Sequence, residues 1–147
     1  MSALHVIPAT FADREDWVSL RRALWPDAAD DDIARMLNEP THFAVFIARE
    51  TNGRAIGFAE ASLRHDYVNG CDTSPVGFLE GIYVVPLFRR RGVAASLVRA
   101  VEQWTLAQGV SELASDALID NVDSHRMHAA LGFEETERVV AFRKRLG

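Results

Sequence analysis

One junction constrains this chain more than any other feature. An apolar run, residues 78–85, is stopped by Pro86 and passes through Arg89-Arg90-Arg91-Gly92-Val93-Ala94 into the longest helical pattern, residues 92–108. Proline cannot donate to a strand ladder, and Val93, Leu97, Val101 and Trp104 recur at helical spacing. The order is therefore strand, turn, helix. The amides that open a helix have no partner within it. With three arginines beside them they form a cradle for an anion. Gly92 allows close backbone approach, and Ala94 is small. A pyrophosphate fits such a cradle; a solvated basic turn is the plainer alternative. The chain has no Gly-Lys-Ser/Thr, hence no P-loop, and no Gly-x-Gly-x-x-Gly, hence no dinucleotide fingerprint.

Around this junction the periodicities alternate. Residues 4–7 suggest an opening strand. Thr10 with Asp13 three residues on suggests a helix start, continued by Trp17, Leu20 and Leu24 and stopped by Pro26. Asp30–Asp32 charge the first turn of a second short helix carrying Ile33, Met36 and Leu37. Residues 43–49 and 55–63 are strand-like, and Asn52-Gly53 between them is a hairpin signal. Residues 64–77 lack periodicity, and loops of that length are often functional. Beyond the long helix, capped by Gly109, residues 110–115 predict a strand. Residues 121–131 predict a helix capped by Gly132, and 133–137 and 139–144 predict closing strands. This order predicts one α/β domain over residues 1–147. Its core is a mixed, largely antiparallel sheet with helices on both faces and a strand-loop-helix anion site.

The chain has 147 residues, 16 Lys plus Arg against 21 Asp plus Glu, a net charge of −5 and one cysteine. Mild acidity with a single arginine cluster excludes a general nucleic-acid binder. No apolar run is long enough to span a membrane, and residues 1–8 show no basic cluster followed by an apolar core, so no secretory signal is expected. Cys71 alone can form neither an internal disulfide nor a zinc cluster, which points to the cytoplasm. His125 and His128 lie three apart on a predicted helix without a third ligand, so no metal is expected. Cys71 has no histidine assigned beside it to activate it as a nucleophile. His42 and His65 are taken as structural.

The acidic residues fall in scattered groups, mostly solvated surface. Two differ. Glu80 interrupts the apolar run Phe78-Leu79-Glu80-Gly81-Ile82, where a carboxylate is costly without a partner or a task. Asp116 ends a predicted strand, where site residues of open α/β sheets gather. Trp25 and Tyr67 lie beside loops and are suited to packing on sugar rings, although Trp25 also suits a core position.

The pattern Arg89-x-x-Gly92-x-Ala94 between a strand and a long helix resembles the acetyl-CoA signature of GNAT-type N-acetyltransferases. Asn121 and Ala130-Leu131-Gly132-Phe133 resemble that superfamily's C-terminal motif. The strings Arg64-His65-Asp66-Tyr67-Val68-Asn69-Gly70, Ser74-Pro75-Val76-Gly77-Phe78-Leu79-Glu80-Gly81-Ile82-Tyr83-Val84, Ala114-Ser115-Asp116 and Gly132-Phe133-Glu134-Glu135-Thr136-Glu137-Arg138 are similar to one branch, the aminoglycoside 6'-N-acetyltransferases. The resemblance implies that acetyl-CoA is the cosubstrate. It implies that backbone groups of Ile82, Tyr83 and Val84 line its pantetheine and acetyl group, that the amides of Arg90, Arg91, Gly92, Val93, Ala94 and Ala95 hold its pyrophosphate, and that Asn121 contacts it. It puts Trp25, Tyr67, Glu80, Asp116 and Glu137 at a polycationic aminoglycoside in an acidic cleft, and implies a homodimer. The chain departs from the pattern twice: Ala28 stands where a histidine follows the tryptophan, and His128 where a tyrosine protonates the departing sulfur.

The expected chemistry is direct transfer. Glu80 and Asp116 bind the ammonium and take its proton, while the Val84 amide polarises the thioester carbonyl. An acetyltransferase for another small polyamine, and a non-catalytic CoA-binding module, are the alternatives.

Overall fold

The computed structural model describes residues 4–29 and 31–147, and at Asp31 the backbone alone. These residues form two compact units, 1–116 and 117–147. Of the acidic run expected to open the second helix, Asp30 lies outside the described residues.

The first unit holds a five-stranded sheet in chain order: β1 (Leu4–Pro8), β2 (Phe43–Glu50), β3 (Ala55–Arg64), β4 (Val76–Val84) and β5 (Leu113–Ser115). The first three pairings are antiparallel; β2 and β3 are joined by the tight Asn52-Gly53 turn, whereas two helices lie between β1 and β2 and a long loop between β3 and β4. The last, β4 with β5, is parallel and is joined through α3 (Val93–Ala107). Thr10 and Asp13 close a capping box, in which the Thr10 amide donates to Asp13 Oδ2 at 2.8 Å. A single 3-10 turn then leads into α1 (Arg14–Leu24). The helix α2 (Asp31–Asn38) follows.

Alternation along β3 assigns the faces. Phe58 joins Trp17, Leu20, Ile33, Met36, Val45 and Ile47 in one core beneath α1 and α2. Its neighbour Gly57 points the other way, where an added Cβ would meet Leu97 and Val93 of α3. Val93, Leu97 and Val101 are buried as the helical stripe predicts, and Thr105 completes it one turn on. Its hydroxyl donates to Val101 O at 2.8 Å, which makes a buried threonine tolerable.

Strand β4 carries a bulge. Glu60 opposes Gly81 and Ala61 opposes Leu79, so Glu80 is the extra residue. A bulge re-aims side chains. Gly77, before it, faces Thr105 of α3, whereas Gly81, after it, faces Trp25. A Cβ on Gly81 would lie 2.3 Å from the indole, so only glycine admits Trp25 there.

Three expected strands differ. The strand predicted over residues 110–115 pairs only over Leu113–Ser115, because β4 runs beside it only from Gly77 to Leu79. In the second unit α4 (Val122–Ala130) forms as expected, but the closing strands predicted over 133–137 and 139–144 do not. Residues 133–147 carry neither helix nor strand, and Val139, Val140, Phe142 and Leu146 are exposed. An alternating segment becomes a strand only when another strand supplies its ladder partners.

Candidate active site

A cavity of about 420 Å³ opens on the face covered by α1 and α2, bordered by β3 and β4. Trp25 and Glu80, both expected at a site, line it together with Ala28, Asp32, Arg35 and Met36. Trp25 is held on three sides: edge-on to Phe58 at 6.1 Å, under the Arg21 guanidinium at 5.3 Å, and against Gly81.

The cavity floor contains a group missed from sequence. Glu60 and Arg21 are both buried and paired: Arg21 Nε donates to Glu60 Oε2 at 2.5 Å and Nη2 to Oε1 at 3.2 Å. Trp17 Nε1 adds a bond to Oε2 at 2.9 Å, and Arg21 Nη1 reaches Ala29 O at 3.1 Å. Every strong donor and acceptor here is used, which a buried ion pair requires. The pair ties α1, β3 and the chain leading to α2 together at the cavity wall. The signal was present. Glu60 interrupts the apolar run 55–63 as Glu80 does 78–82, and Arg21 follows Trp17 at i+4 on the buried face of α1.

Glu80 projects from the bulge and accepts three hydrogen bonds. Ser62 Oγ donates to its Oε2 at 2.5 Å, Arg64 Nε to the same oxygen at 3.0 Å and Arg64 Nη2 to Oε1 at 2.6 Å. The bidentate bond to Glu80, and further the charges of Glu80 and Asp116, hold Arg64 above the usual arginine range despite partial burial. Asp116 is exposed at the end of β5 and does not line the cavity, although its charge acts on the same guanidinium. Tyr67, 74% exposed, stands in solvent away from the lining. Among the described residues the lining carries two arginines, Arg21 and Arg35, against three carboxylates, Asp32, Glu60 and Glu80, and Arg64, bonded to Glu80 from beside the lining, offsets that excess.

Beyond the bulge, β4 presents a free edge. Val85 N donates to Ile56 O at 2.8 Å, so that pair is hydrogen-bonded. By alternation the pairs Gly57–Val84 and Ala59–Ile82 are not, whereas Phe58–Tyr83 is. Ile82 and Val84 therefore turn their N–H and C=O groups away from β3, toward the edge that β5 leaves after Leu79. Tyr83, expected with them, turns its backbone into the sheet. Arg89 Nε caps Val84 O at 2.8 Å, leaving the Val84 N–H facing the gap.

The strand then leads into the basic turn. Arg90 at φ 63° and Gly92 at φ 82° both adopt left-handed backbone before α3 begins at Val93. Such turns direct successive N–H groups into a concavity suited to anions. A Cβ on Gly92 would meet nothing within 4 Å, so its glycine is required by φ and not by space within the protein.

Cys71 is not activated. Burial first, then the charges of Glu112 and Asp72, push its thiol up, away from the thiolate a nucleophile needs. Glu112 instead fastens the loop before β4, accepting from the Asp72 amide at 3.1 Å, the Thr73 amide at 2.7 Å and the Thr73 hydroxyl. Among the described residues no group of three or more His, Cys, Asp or Glu could hold a metal ion, and no helix is long and apolar enough to cross a membrane.

In the second unit, Asn121 is the N-cap of α4, its Oδ1 accepting from the Ser124 amide at 3.2 Å. His128 Nδ1 lies 2.7 Å from Ser124 O. A carbonyl only accepts, so Nδ1 is the donor in that bond. Glu137 is exposed in the strandless segment.

The profile of the Acetyltransferase (GNAT) family matches residues 11–133. The chain is 54% identical over 135 residues to the aminoglycoside N(6')-acetyltransferase type 1 of Serratia marcescens, covering 89% of this chain and 92% of that one. It is also similar to the solved structure of AAC(6')-Iy in complex with the bisubstrate analog CoA-S-monomethyl-acetylneamine. There the TM-score is 0.93 and the identity 50%, over 99% of this chain and 100% of that one. The aminoglycoside 6'-N-acetyltransferase AAC(6')-Ih from Acinetobacter baumannii matches with a TM-score of 0.93 at 44% identity, over 99% and 100%.

Proposed function

The chain belongs to the acetyltransferase (GNAT) family, and from that premise we propose that it transfers the acetyl group of acetyl-CoA directly to the 6'-amino group of aminoglycosides. The observation that carries the proposal is the order of features on one strand. Along β4 come Glu80 at the cavity, the free edge at Ile82 and Val84, and then the left-handed turn at Arg90 to Gly92. A cavity for an amine and a cradle for a pyrophosphate are thereby joined by an edge to which pantetheine amides can add as a strand. Similarity to enzymes bearing that activity in their names supports the choice of substrate.

The amides of Arg90, Arg91, Gly92, Val93, Ala94 and Ala95 hold the pyrophosphate, and Asn121 assists from the start of α4. Acetyl-CoA supplies an activated thioester carbonyl. The Val84 N–H, facing the gap and free of β3, donates to that carbonyl oxygen and stabilises the negative charge that develops there. The substrate amine, an ammonium of pKa about 8 to 10 near neutral pH, sheds its proton to Glu80, with Asp116 as the exit, before it attacks. Trp25 supports the sugar ring, with Tyr67 and Glu137 completing its contacts. Thiolate release at pH 7 from a thiol of pKa about 8.5 costs only about 2 kcal/mol, so no dedicated acid is required. Acetylation removes a cation from the drug, and with it resistance is conferred.

The chain acts as one domain, the family match running through both units. It acts as a homodimer, in which the exposed apolar segment at Val139, Val140 and Phe142 gains a strand partner from a second copy. A cytoplasmic site of action follows from the need for acetyl-CoA.

The test is thiol release from acetyl-CoA, followed with a chromogenic thiol reagent. A kanamycin-like drug bearing a 6'-amine should release thiol and gain one acetyl group by mass spectrometry, while the analogue with a 6'-hydroxyl should not. Turnover of the hydroxyl analogue, or faster turnover of simple polyamines than of the drug, overturns the proposal.

A further inference from the structure

Two arginine–glutamate pairs border the same cavity, and they differ in kind. Arg21 and Glu60 have side chains 8% and 4% exposed, with Trp17 and Ala29 O taking the remaining bonds. That pair is built in. Arg64 and Glu80 are 43% and 31% exposed, and ion pairs so open to water are weak and exchangeable. Glu80 has about four acceptor sites, of which Ser62 and the two Arg64 bonds use three. An arriving ammonium meets one remaining site beside a guanidinium of its own sign.

Arg64 has a second anchor already in place. Its guanidinium stacks on the Phe78 ring at 3.5 Å from the centroid, a contact that does not depend on Glu80. The field of Asp116, at the end of the neighbouring strand β5, acts on the same group. Release of Glu80 therefore leaves Arg64 on an aromatic platform with a second carboxylate to approach. Release also changes the cavity's charge. Among the described residues the lining carries two guanidiniums against three carboxylates, and Arg64, bonded to Glu80 from beside it, offsets the excess; with Arg64 released the cavity is anionic, and Asp32, paired with Arg21 at 3.5 Å yet 56% exposed, still faces water where a second cation can approach.

We propose that Arg64 is a specificity-determining residue: a resident cation covering the amine-binding face of Glu80, which polycationic substrates displace and singly charged amines do not. This rests on the proposed role of Glu80 as the ammonium's partner. A single ammonium only exchanges one cation for another at Glu80. A polyamine makes the same exchange and adds attraction to Asp32 and the rest of the uncovered wall, so it alone gains.

The experiment compares wild type, Arg64→Gln and Arg64→Lys in acetyl-CoA thiol release with two substrates: kanamycin as the polycation and methyl 6-amino-6-deoxyglucoside as the monoamine. In Arg64→Gln the KM for the monoamine should fall about fivefold, the size expected of removing one half-exposed ion pair. The KM for kanamycin should change far less, so the preference for the polycation narrows. Arg64→Lys keeps the charge but loses the two-pronged bond, and should narrow the preference in the same direction. It carries the test if Arg64→Gln does not fold. CoA affinity, measured by calorimetry, should stay at the wild-type value in both variants. A preference unchanged in the folded variants, or equal loss of kcat on both substrates as a permanent orienting partner of Glu80 would give, overturns the inference alone. Wild type inactive on both amines overturns the proposed function and this inference with it.

Discussion

Glu80 and Glu60 are both carboxylates in apolar strands, both bonded to an arginine, and the difference between them is burial. Glu60 is only 3% exposed and serves the structure. Its replacement in Glu60→Ala leaves the Arg21 guanidinium buried without its partner, a change that costs about 3–5 kcal/mol. A urea midpoint near that of wild type would refute the pairing. Glu80 reaches the cavity because a bulge turns it there, and the proposed function has it meet the substrate. Glu80→Gln should lower kcat by about 100-fold or more, the usual contribution of a positioned base, and leave the calorimetric affinity for CoA unaltered. Undiminished turnover would remove Glu80 from the proton's path.

At the scale of elements, caps and turns carry the information. Burial opposes ionisation of Asp13, but the amide and hydroxyl of Thr10 and the Arg49 guanidinium outweigh it and hold the carboxyl below the ordinary aspartate range. A depressed native pKa stabilises the fold above the unfolded value, near 3.9, and that stability is lost as pH falls through the native one. Asp13→Asn should therefore melt below wild type at neutral pH, and the gap should close below about pH 4. A gap constant down to pH 2 would contradict this. The turn after β4 shows the same dependence on backbone. Valine at position 92 must adopt φ near +82°, a strain of about 1–2 kcal/mol for a residue with a Cβ. Gly92→Val should thus bind CoA at least about tenfold more weakly in calorimetry. Normal affinity would show that the turn tolerates another geometry and that the amides are not the cradle.

For the whole molecule, the open question of partnership lies in the last fifteen residues. They carry apolar side chains in solvent and no ladder. If a second copy supplies the missing partner, sedimentation should give twice the 16.3 kDa chain mass. Deletion of residues 139–147 should then return a monomer, whereas a monomeric full-length chain would refute the dimer.

Much of this was legible in the sequence because it is local. The helical stripe ending at Gly109, the Thr10–Asp13 box, the Asn52-Gly53 hairpin and the strand-turn-helix at Gly92 each follow from a few adjacent side chains and the backbone they favour. The resemblance to GNAT enzymes rests on the same local strings. What required the folded molecule was every relation across the sheet. The bulge exists only as a mismatch of register between β3 and β4, so nothing within Leu79-Glu80-Gly81 announces it. Arg64 finds Glu80 sixteen residues away, and Arg21 finds Glu60 thirty-nine residues away. Those pairings set two of the cavity's carboxylates against arginines. The closing strands expected over 133–137 and 139–144 are missing for the same reason. Alternation prepares a segment to be a strand, but a strand is a shared set of hydrogen bonds, and only the three-dimensional neighbours decide whether the other half is present.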